Sequence, residues 1–119
     1  MVNKEDIEDI LDELANKGVY GSAVIDRDGT PIVSDLPIKV NESTYSIMCA
    51  TILGAAKTAN SELDRKPLEK ITIDSNDRKI IIVVAGRKMF LSAIVDSVED
   101  IEKTESIIFE AAEKIREIK

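Results

Sequence analysis

Residues 70–96, KITIDSNDRKIIIVVAGRKMFLSAIVD, decide the fold because three β-prone runs follow one another with very short joins between them. The joins, SNDR at 75–78 and GRK at 86–88, have the length of hairpin loops. Parallel neighbours need crossovers of about a dozen residues or more, so these runs should pair antiparallel. The sequence therefore predicts a meander of three strands, Lys70–Asp74, Lys79–Ala85 and Met89–Asp96.

The composition of these strands predicts how the layers stack. Ile80–Val84 and Phe90–Val95 are apolar on both alternating faces except at Ser92, so both strands are expected to be central and covered on both sides. Lys70–Asp74 alternates between polar and apolar residues and is expected at the edge of the sheet. A covered sheet needs a helical layer on each face.

The remaining patterns predict three helices and a hairpin. They are a first helix over Met1–Lys17, strands over Val19–Asp26 and Thr30–Ser34, a middle helix from Asn41 or Ser43 to about Leu63, and a last helix over Val98–Lys119. The element order is then α-β-β-α-β-β-β-α. This is an α+β, three-layer fold with one mostly antiparallel five-stranded sheet, the middle helix on one face and the two terminal helices on the other.

Composition limits the function. The chain has 119 residues, no histidine, one cysteine and a net charge of −7. Imidazole bases and His-ligated zinc are excluded, and the acidic balance argues against nucleic acid as a partner. No apolar run approaches the ~20 residues that span a bilayer, and a lone Cys49 fits a reducing compartment. We expect one domain over residues 1–119, in the cytoplasm, without cofactor, metal or membrane insertion.

The stretch Asp26-Arg27-Asp28-Gly29-Thr30 permits an enzymatic interpretation. It resembles the nucleophile motif of haloacid dehalogenase-type phosphatases, and Asp96 with Asp100 resembles their magnesium-binding motif. That chemistry needs parallel strands that bring both motifs to one sheet edge, which the short joins disfavour. The alternative is turn chemistry, in which Asp26 binds its own backbone and Gly29 supplies a positive φ.

Three segments together resemble the roadblock (dynein light chain) family. They are GVYGSAVIDRDGTPIVSD at 18–35, STYSIMCATILGAAKTANSEL at 43–63 and EKITIDSNDRKIIIVVAGRKMFLSAIVDS at 69–97. The resemblance covers essentially the whole chain and implies a profilin-like architecture. Members of the family form dimers and bind Ras-like small GTPases as regulators or scaffolds, so the resemblance implies the same role here. Arg87 in the GRK turn is a candidate arginine finger toward such a partner, although an exposed turn arginine is usually ordinary surface.

The middle helix independently predicts a dimer. One apolar stripe is expected to pack on the sheet, namely Tyr45, Met48, Ile52, Ala55, Ala56, Ala59 and Leu63. The opposite face carries small residues where a second backbone could approach closely, and the edge strand could pair with its symmetry mate. The predicted dimer interface is Ser46, Ile47, Ala50, Thr51, Gly54, Thr58, Lys70 and Thr72. The alternative is a small-residue face tolerated under a loop.

Three hypotheses about function follow from these predictions. The first is a non-enzymatic dimeric module that binds and regulates or scaffolds a Ras-like small GTPase, with itself or a related roadblock chain as dimer partner. The second is a homodimeric scaffold or small-ligand sensor of the same fold without a GTPase. The third is a small Mg-dependent phosphatase that uses Asp26 and Asp28.

Overall fold

The computed structural model describes residues 3–63, 66–96 and 100–118. The helices are α1 (Lys4–Asn16), α2 (Glu42–Leu63) and α3 (Ile101–Glu117), and the strands are β1 (Gly21–Asp26), β2 (Pro31–Asp35), β3 (Lys70–Asp74), β4 (Arg78–Val84) and β5 (Met89–Asp96). The element order is the predicted one. The predicted helix limits at Met1, Val98 and Lys119 lie outside the described residues.

The five strands form one sheet in the order β2-β1-β5-β4-β3. All four neighbouring pairs are antiparallel, which confirms the meander predicted from the two short joins. The interior positions of β4 and β5 and the edge position of β3 are also confirmed. The other edge of the sheet is β2.

Helix ends follow local capping chemistry. The side chain of Asn3 accepts from two backbone N–H groups in the first turn of α1, and Gly18, with φ of 96°, follows its last turn. Oδ1 of Asn41 accepts from the backbone N–H of Thr44 at 2.9 Å, which starts α2. Asp100 caps α3 in the same way at 3.3 Å.

The two sheet faces have cores of unequal size. The larger core lies under α1 and α3 and includes Ile7, Leu11, Leu14, Val24, Ile81, Leu91, Val95, Ile108 and Ile115. The smaller core lies under α2 and comprises Ala23, Ile25, Cys49, Leu53, Ile82 and Phe90. The arrangement of two terminal helices on one face and the middle helix on the other is the predicted one.

The predicted contact stripe of α2 is wrong by about a quarter turn, at 3.6 residues per turn. Met48 and Ile52, expected on the sheet, are 50% and 38% exposed. The buried residues of α2 are Ser46, Cys49 and Leu53. Of the other predicted stripe residues, Ala55, Ala59 and Leu63 are exposed while Tyr45 and Ala56 are half-buried. Nearly every side of this helix is apolar or small, so no polar face marks the side that meets solvent.

Candidate functional site: the exposed surface of α2

An uncharged surface runs along α2 on the side away from the sheet. We call it the exposed α2 surface, and it comprises Ile47, Met48, Thr51, Ile52, Gly54, Ala55, Thr58 and Ala59. Ile47 and Met48 are each about half exposed, at 49% and 50%. Between Glu42 and Glu62 the helix has a single charged residue, Lys57. A solvated helix face normally carries charges, so this surface resembles an interface more than a free surface.

The threonines of the exposed α2 surface are less polar than their type suggests. The hydroxyl of Thr51 donates to the carbonyl of Ile47 at 2.8 Å, and that of Thr58 donates to the carbonyl of Gly54 at 3.1 Å. Each hydroxyl thus bonds to the helix backbone one turn earlier. Neither group has to find a partner outside the helix.

Gly54 lies in the middle of this surface. Apart from its chain neighbours and the nearby backbone of its own helix, no heavy atom lies within 4 Å of the position where its Cβ would stand. A glycine in a helix interior costs about 0.5–1 kcal/mol relative to alanine. Packing among the described residues therefore gives no reason for a glycine at this position.

The structure brings some of the predicted interface residues together and separates others. Ile47, Thr51, Gly54 and Thr58 share the exposed α2 surface, and Ala50 is half-buried at its margin. Ser46 is fully buried beneath the helix, so its predicted place on the outer face is wrong. The cause is the rotation of α2 described above, which turns Ser46 toward the sheet.

The two predicted interface residues of β3 lie on the other sheet face from α2. Nζ of Lys70 binds Oε2 of Glu105 in α3 at 2.7 Å, and Thr72 shares the face of Lys70 by strand alternation. Ile71 and Ile73, which alternate with them, are half-buried. Lys70 and Thr72 can thus reach a second chain through the backbone of the strand edge, but their side chains do not join the exposed α2 surface.

A buried polar cluster beneath α2 was not predicted from the sequence. The hydroxyl of Tyr45 lies 2.5 Å from Oγ of Ser92 in the centre of β5, and Sγ of Cys49 lies 3.8 Å from the same oxygen. Burial raises the pKa of the Tyr45 hydroxyl and the pKa of the Cys49 thiol. Oγ of the neighbouring Ser46 is buried without a hydrogen-bond partner among the described residues. The feature of the sequence that could have indicated this cluster is Ser92, the lone polar residue in FLSAIV at 90–95.

The acidic turn between β1 and β2 is held by its own side chains. Oδ1 of Asp26 accepts from the backbone N–H of Asp28 at 3.3 Å, and Oδ1 of Asp28 accepts from that of Thr30 at 3.0 Å. Gly29 has a φ of 97° and donates its N–H to the carbonyl of Asp26 at 2.9 Å. These contacts confirm the turn chemistry predicted for Asp26.

The two acidic motifs of the phosphatase interpretation lie at opposite ends of the sheet. Asp26 pairs with Met89 at the start of β5, whereas Asp96 ends that strand. β5 is eight residues long, which separates its ends by roughly 23 Å at about 3.3 Å per residue. Nε of Arg78 binds Oδ1 of Asp96 at 3.2 Å, and Asp100 caps α3. The structure therefore does not assemble the site that phosphoryl transfer needs.

Within residues 3–63, 66–96 and 100–118, no group of three or more His, Cys, Asp or Glu side chains is placed to hold a metal ion. None of the helices in that part of the chain is both long and apolar enough to cross a membrane.

Comparison with known proteins assigns the fold to a family. The model of the Roadblock/LC7 domain matches residues 6–96 of this chain. The chain belongs to the Roadblock/LC7 family. The match contains the hairpin, α2 and the meander, the segments on which the resemblance in sequence rested.

This Roadblock/LC7 chain is similar in sequence to an archaeal protein and in fold to solved structures of MglB. The uncharacterized protein MJ0714 of Methanocaldococcus jannaschii is 32% identical over 99 residues, which is 83% of each chain. The solved structure of MglB from Myxococcus xanthus has a TM-score of 0.87 and 13% identity, covering 92% of this chain and 91% of MglB. An MglB structure with a tetrameric arrangement has a TM-score of 0.84 and 16% identity, covering 94% and 86%. At these identities the MglB structures show a shared fold.

Proposed function

We propose that this Roadblock/LC7 protein is a dimeric, non-enzymatic binding module that binds and regulates or scaffolds a Ras-like small GTPase. Membership of the family supports the class of partner. The exposed α2 surface is the observation that carries the dimer. The proposal includes a location in the cytoplasm, as the sequence predicts.

The dimer proposal rests on the chemistry of the exposed α2 surface. Burial of apolar surface by a partner contributes roughly 25 cal/mol of free energy for each Å². In a two-fold dimer the same surface of both copies meets itself, which an uncharged stripe of small and apolar residues permits without like-charge repulsion. Gly54 then allows the two helix backbones to approach closely. Ser46 leaves the predicted interface, while Met48 and Ile52 join it.

The edge strand β3 completes the proposed interface. An unpaired strand edge exposes a row of backbone N–H and C=O groups that a second strand can satisfy. Lys70 and Thr72 would take part through their main chain, because Nζ of Lys70 is already bound to Glu105. The tetrameric arrangement of MglB is an instance of self-assembly by a chain of the same fold.

Sedimentation velocity of Gly54→Leu tests the dimer. Leucine favours helix, so the fold should persist while the added side chain blocks close approach of the helices. Overpacking of this kind costs about 1–3 kcal/mol. We therefore expect the dissociation constant of the Gly54→Leu dimer to be about tenfold higher than that of the wild-type dimer, or more. Ala15→Leu is the matched control, since it adds the same side chain to an exposed position of α1. Identical sedimentation of Gly54→Leu and wild type would overturn the proposed helix pair.

Binding to purified GTPases tests the partner. The Ras-like GTPases encoded in the source genome are loaded with GDP or with a non-hydrolysable GTP analogue and titrated by calorimetry. We expect at least one to bind with different affinity in its two nucleotide states, and its hydrolysis rate in the complex tells whether turnover is stimulated. If none of these GTPases binds, the GTPase role is overturned. The dimer is tested separately, by sedimentation.

A further inference from the structure

A cavity of about 780 Å³ opens between the C-terminal half of α3 and the part of the sheet where β3 begins. Its inner wall is apolar, formed by Val83, Phe109 and Ala112, and Pro67 and Leu68 line it on the side of β3. Val83 and Ala112 are each 3% exposed and belong to the core, so the apolar surface that a ligand can reach is that of the half-buried Leu68 and Phe109. The volume lies within the roughly 300–1,000 Å³ typical of small-molecule sites, which are usually apolar with a few convergent polar groups.

One guanidinium group is held in place at the mouth of the cavity. Nη2 of Arg116 donates to the backbone carbonyl of Val84 at 3.2 Å, so its side chain spans from α3 to the end of β4. Cγ of Arg116 lies 4.0 Å from the position that a Cβ of Gly86 would take. The aliphatic part of the Arg116 side chain therefore passes close to the turn between β4 and β5. Nη1 lies 3.9 Å from Oε2 of the exposed Glu113, a distance at which the ion pair is weak. Arg116 thus presents an ordered charge that is only partly neutralised.

A second guanidinium group lines the same cavity. Arg87 lies on the turn between β4 and β5, and its side chain makes no hydrogen bond or ion pair within the described part of the chain. The cavity also has two carboxylates at its rim, Glu69 and Glu113. Neither carboxylate is ion-paired with Arg87 within the described part of the chain, so the charge of Arg87 remains available to a ligand.

We propose that this cavity binds a small amphipathic anion, with an apolar chain or ring against Leu68 and Phe109 and a carboxylate or phosphate between Arg87 and Arg116. A guanidinium fork matches the paired oxygens of both anionic groups. The apolar wall favours a ligand with a hydrocarbon body over a free inorganic anion. The site does not depend on GTPase binding, and none of its lining residues belongs to the exposed α2 surface.

NMR titration of the full chain with octanoate, octyl phosphate and octylammonium tests the site. The three probes share a chain and differ in the head group. We expect saturable amide shifts at Val83, Val84, Phe109 and Ala112 with the two anions, and at least about tenfold weaker binding of octylammonium, because a hydrogen bond to a charged group contributes that factor or more. The tighter of the two anions identifies the head group.

Arginine variants separate specific recognition from general adsorption. Arg87→Gln should weaken binding of the anions by about tenfold, because it removes one charged hydrogen-bond donor. Lys39→Gln is the matched control, since it removes an equal charge from the exposed loop after β2, at the opposite end of the sheet from the β4–β5 turn, and should leave binding unchanged. Arg116→Lys keeps the charge but loses the fork, and should weaken binding while circular dichroism confirms the fold. Equal binding of octanoate and octylammonium, or equal affinities of Arg87→Gln and Lys39→Gln, would overturn the proposal.

Discussion

The hydroxyl of Tyr45 in α2 lies 2.5 Å from Oγ of Ser92 in β5, at the centre of the face that α2 covers. Ser92 is fully buried, so its hydroxyl depends on partners inside the protein to replace its lost water. The two hydroxyls and the thiol of Cys49 form a polar contact inside the smaller core under α2, which is otherwise apolar. This contact joins the side of α2 that faces the sheet to the middle of β5.

Ser92→Ala should reduce the free energy of unfolding by about 1 kcal/mol, because it removes the hydrogen-bond partner of the partly buried Tyr45 hydroxyl. Tyr45→Phe should cost less, since the small Ser92 hydroxyl keeps Cys49 at 3.8 Å. Urea unfolding followed by circular dichroism measures both. The double variant should be more stable than the sum of the two single losses predicts, because it leaves neither hydroxyl unpaired. Strict additivity would show that the two hydroxyls do not stabilise each other.

Gly29→Ala should destabilise the protein more than Gly18→Ala. Both glycines have positive φ, 97° and 96°, so both variants carry a strain of about 1 kcal/mol or more. A Cβ at Gly29 would stand 2.7 Å from Cγ1 of Ile47 and 3.1 Å from its Cα, whereas a Cβ at Gly18 would meet nothing within 4 Å. The clash should therefore add about 1–3 kcal/mol and disturb the start of α2.

Thermal and urea unfolding of the two glycine variants provide the measurement, and Gly18→Ala is the control for backbone strain alone. Since the clash involves the Cα of Ile47 as well as its side chain, Ile47→Ala should relieve only part of the loss in Gly29→Ala. Equal losses for Gly18→Ala and Gly29→Ala would contradict close contact between this turn and α2.

The sheet could be predicted from the sequence because its determinants are local. The joins SNDR and GRK are too short for anything except antiparallel neighbours, and five consecutive apolar residues in Ile80–Val84 require cover on both faces. These two features are enough to predict the meander, the edge strand and the layers. The three helices follow from spacing and caps such as Asn41.

The orientation of α2 and the cavity could not be predicted in the same way. A helix with apolar and small residues on most sides gives no preferred direction, and the observed direction brings Tyr45 to Ser92, 47 residues away in sequence. The cavity is built from segments at 67–69, 83–87 and 109–116, which meet only in the folded chain. Such sites depend on tertiary contacts that no local pattern records.

Asp26→Asn should leave the turn nearly intact. The amide oxygen can still accept from the backbone N–H of Asp28, a contact of 3.3 Å in the wild type, so the change in stability should stay within about 0.5 kcal/mol. With p-nitrophenyl phosphate and magnesium, wild type and variant should show the same background hydrolysis. Arg27→Gln, on the same turn, controls for surface effects. Magnesium-dependent turnover that Asp26→Asn abolishes without loss of fold would revive the phosphatase interpretation.

Alkaline pH should weaken the fold through Cys49. Burial raises the pKa of its thiol in the folded protein, so the folded state holds the proton at a pH where the unfolded chain releases it. The stabilising contribution is fully present below the ordinary thiol range of about 8–9 and is lost as pH rises toward the folded-state pKa. Urea unfolding between about pH 7 and about pH 9.5 should therefore show a falling free energy of unfolding. In Cys49→Ala the part of this slope that begins in the thiol range should disappear, and an unchanged slope would mean that the thiol is not kept protonated beneath α2.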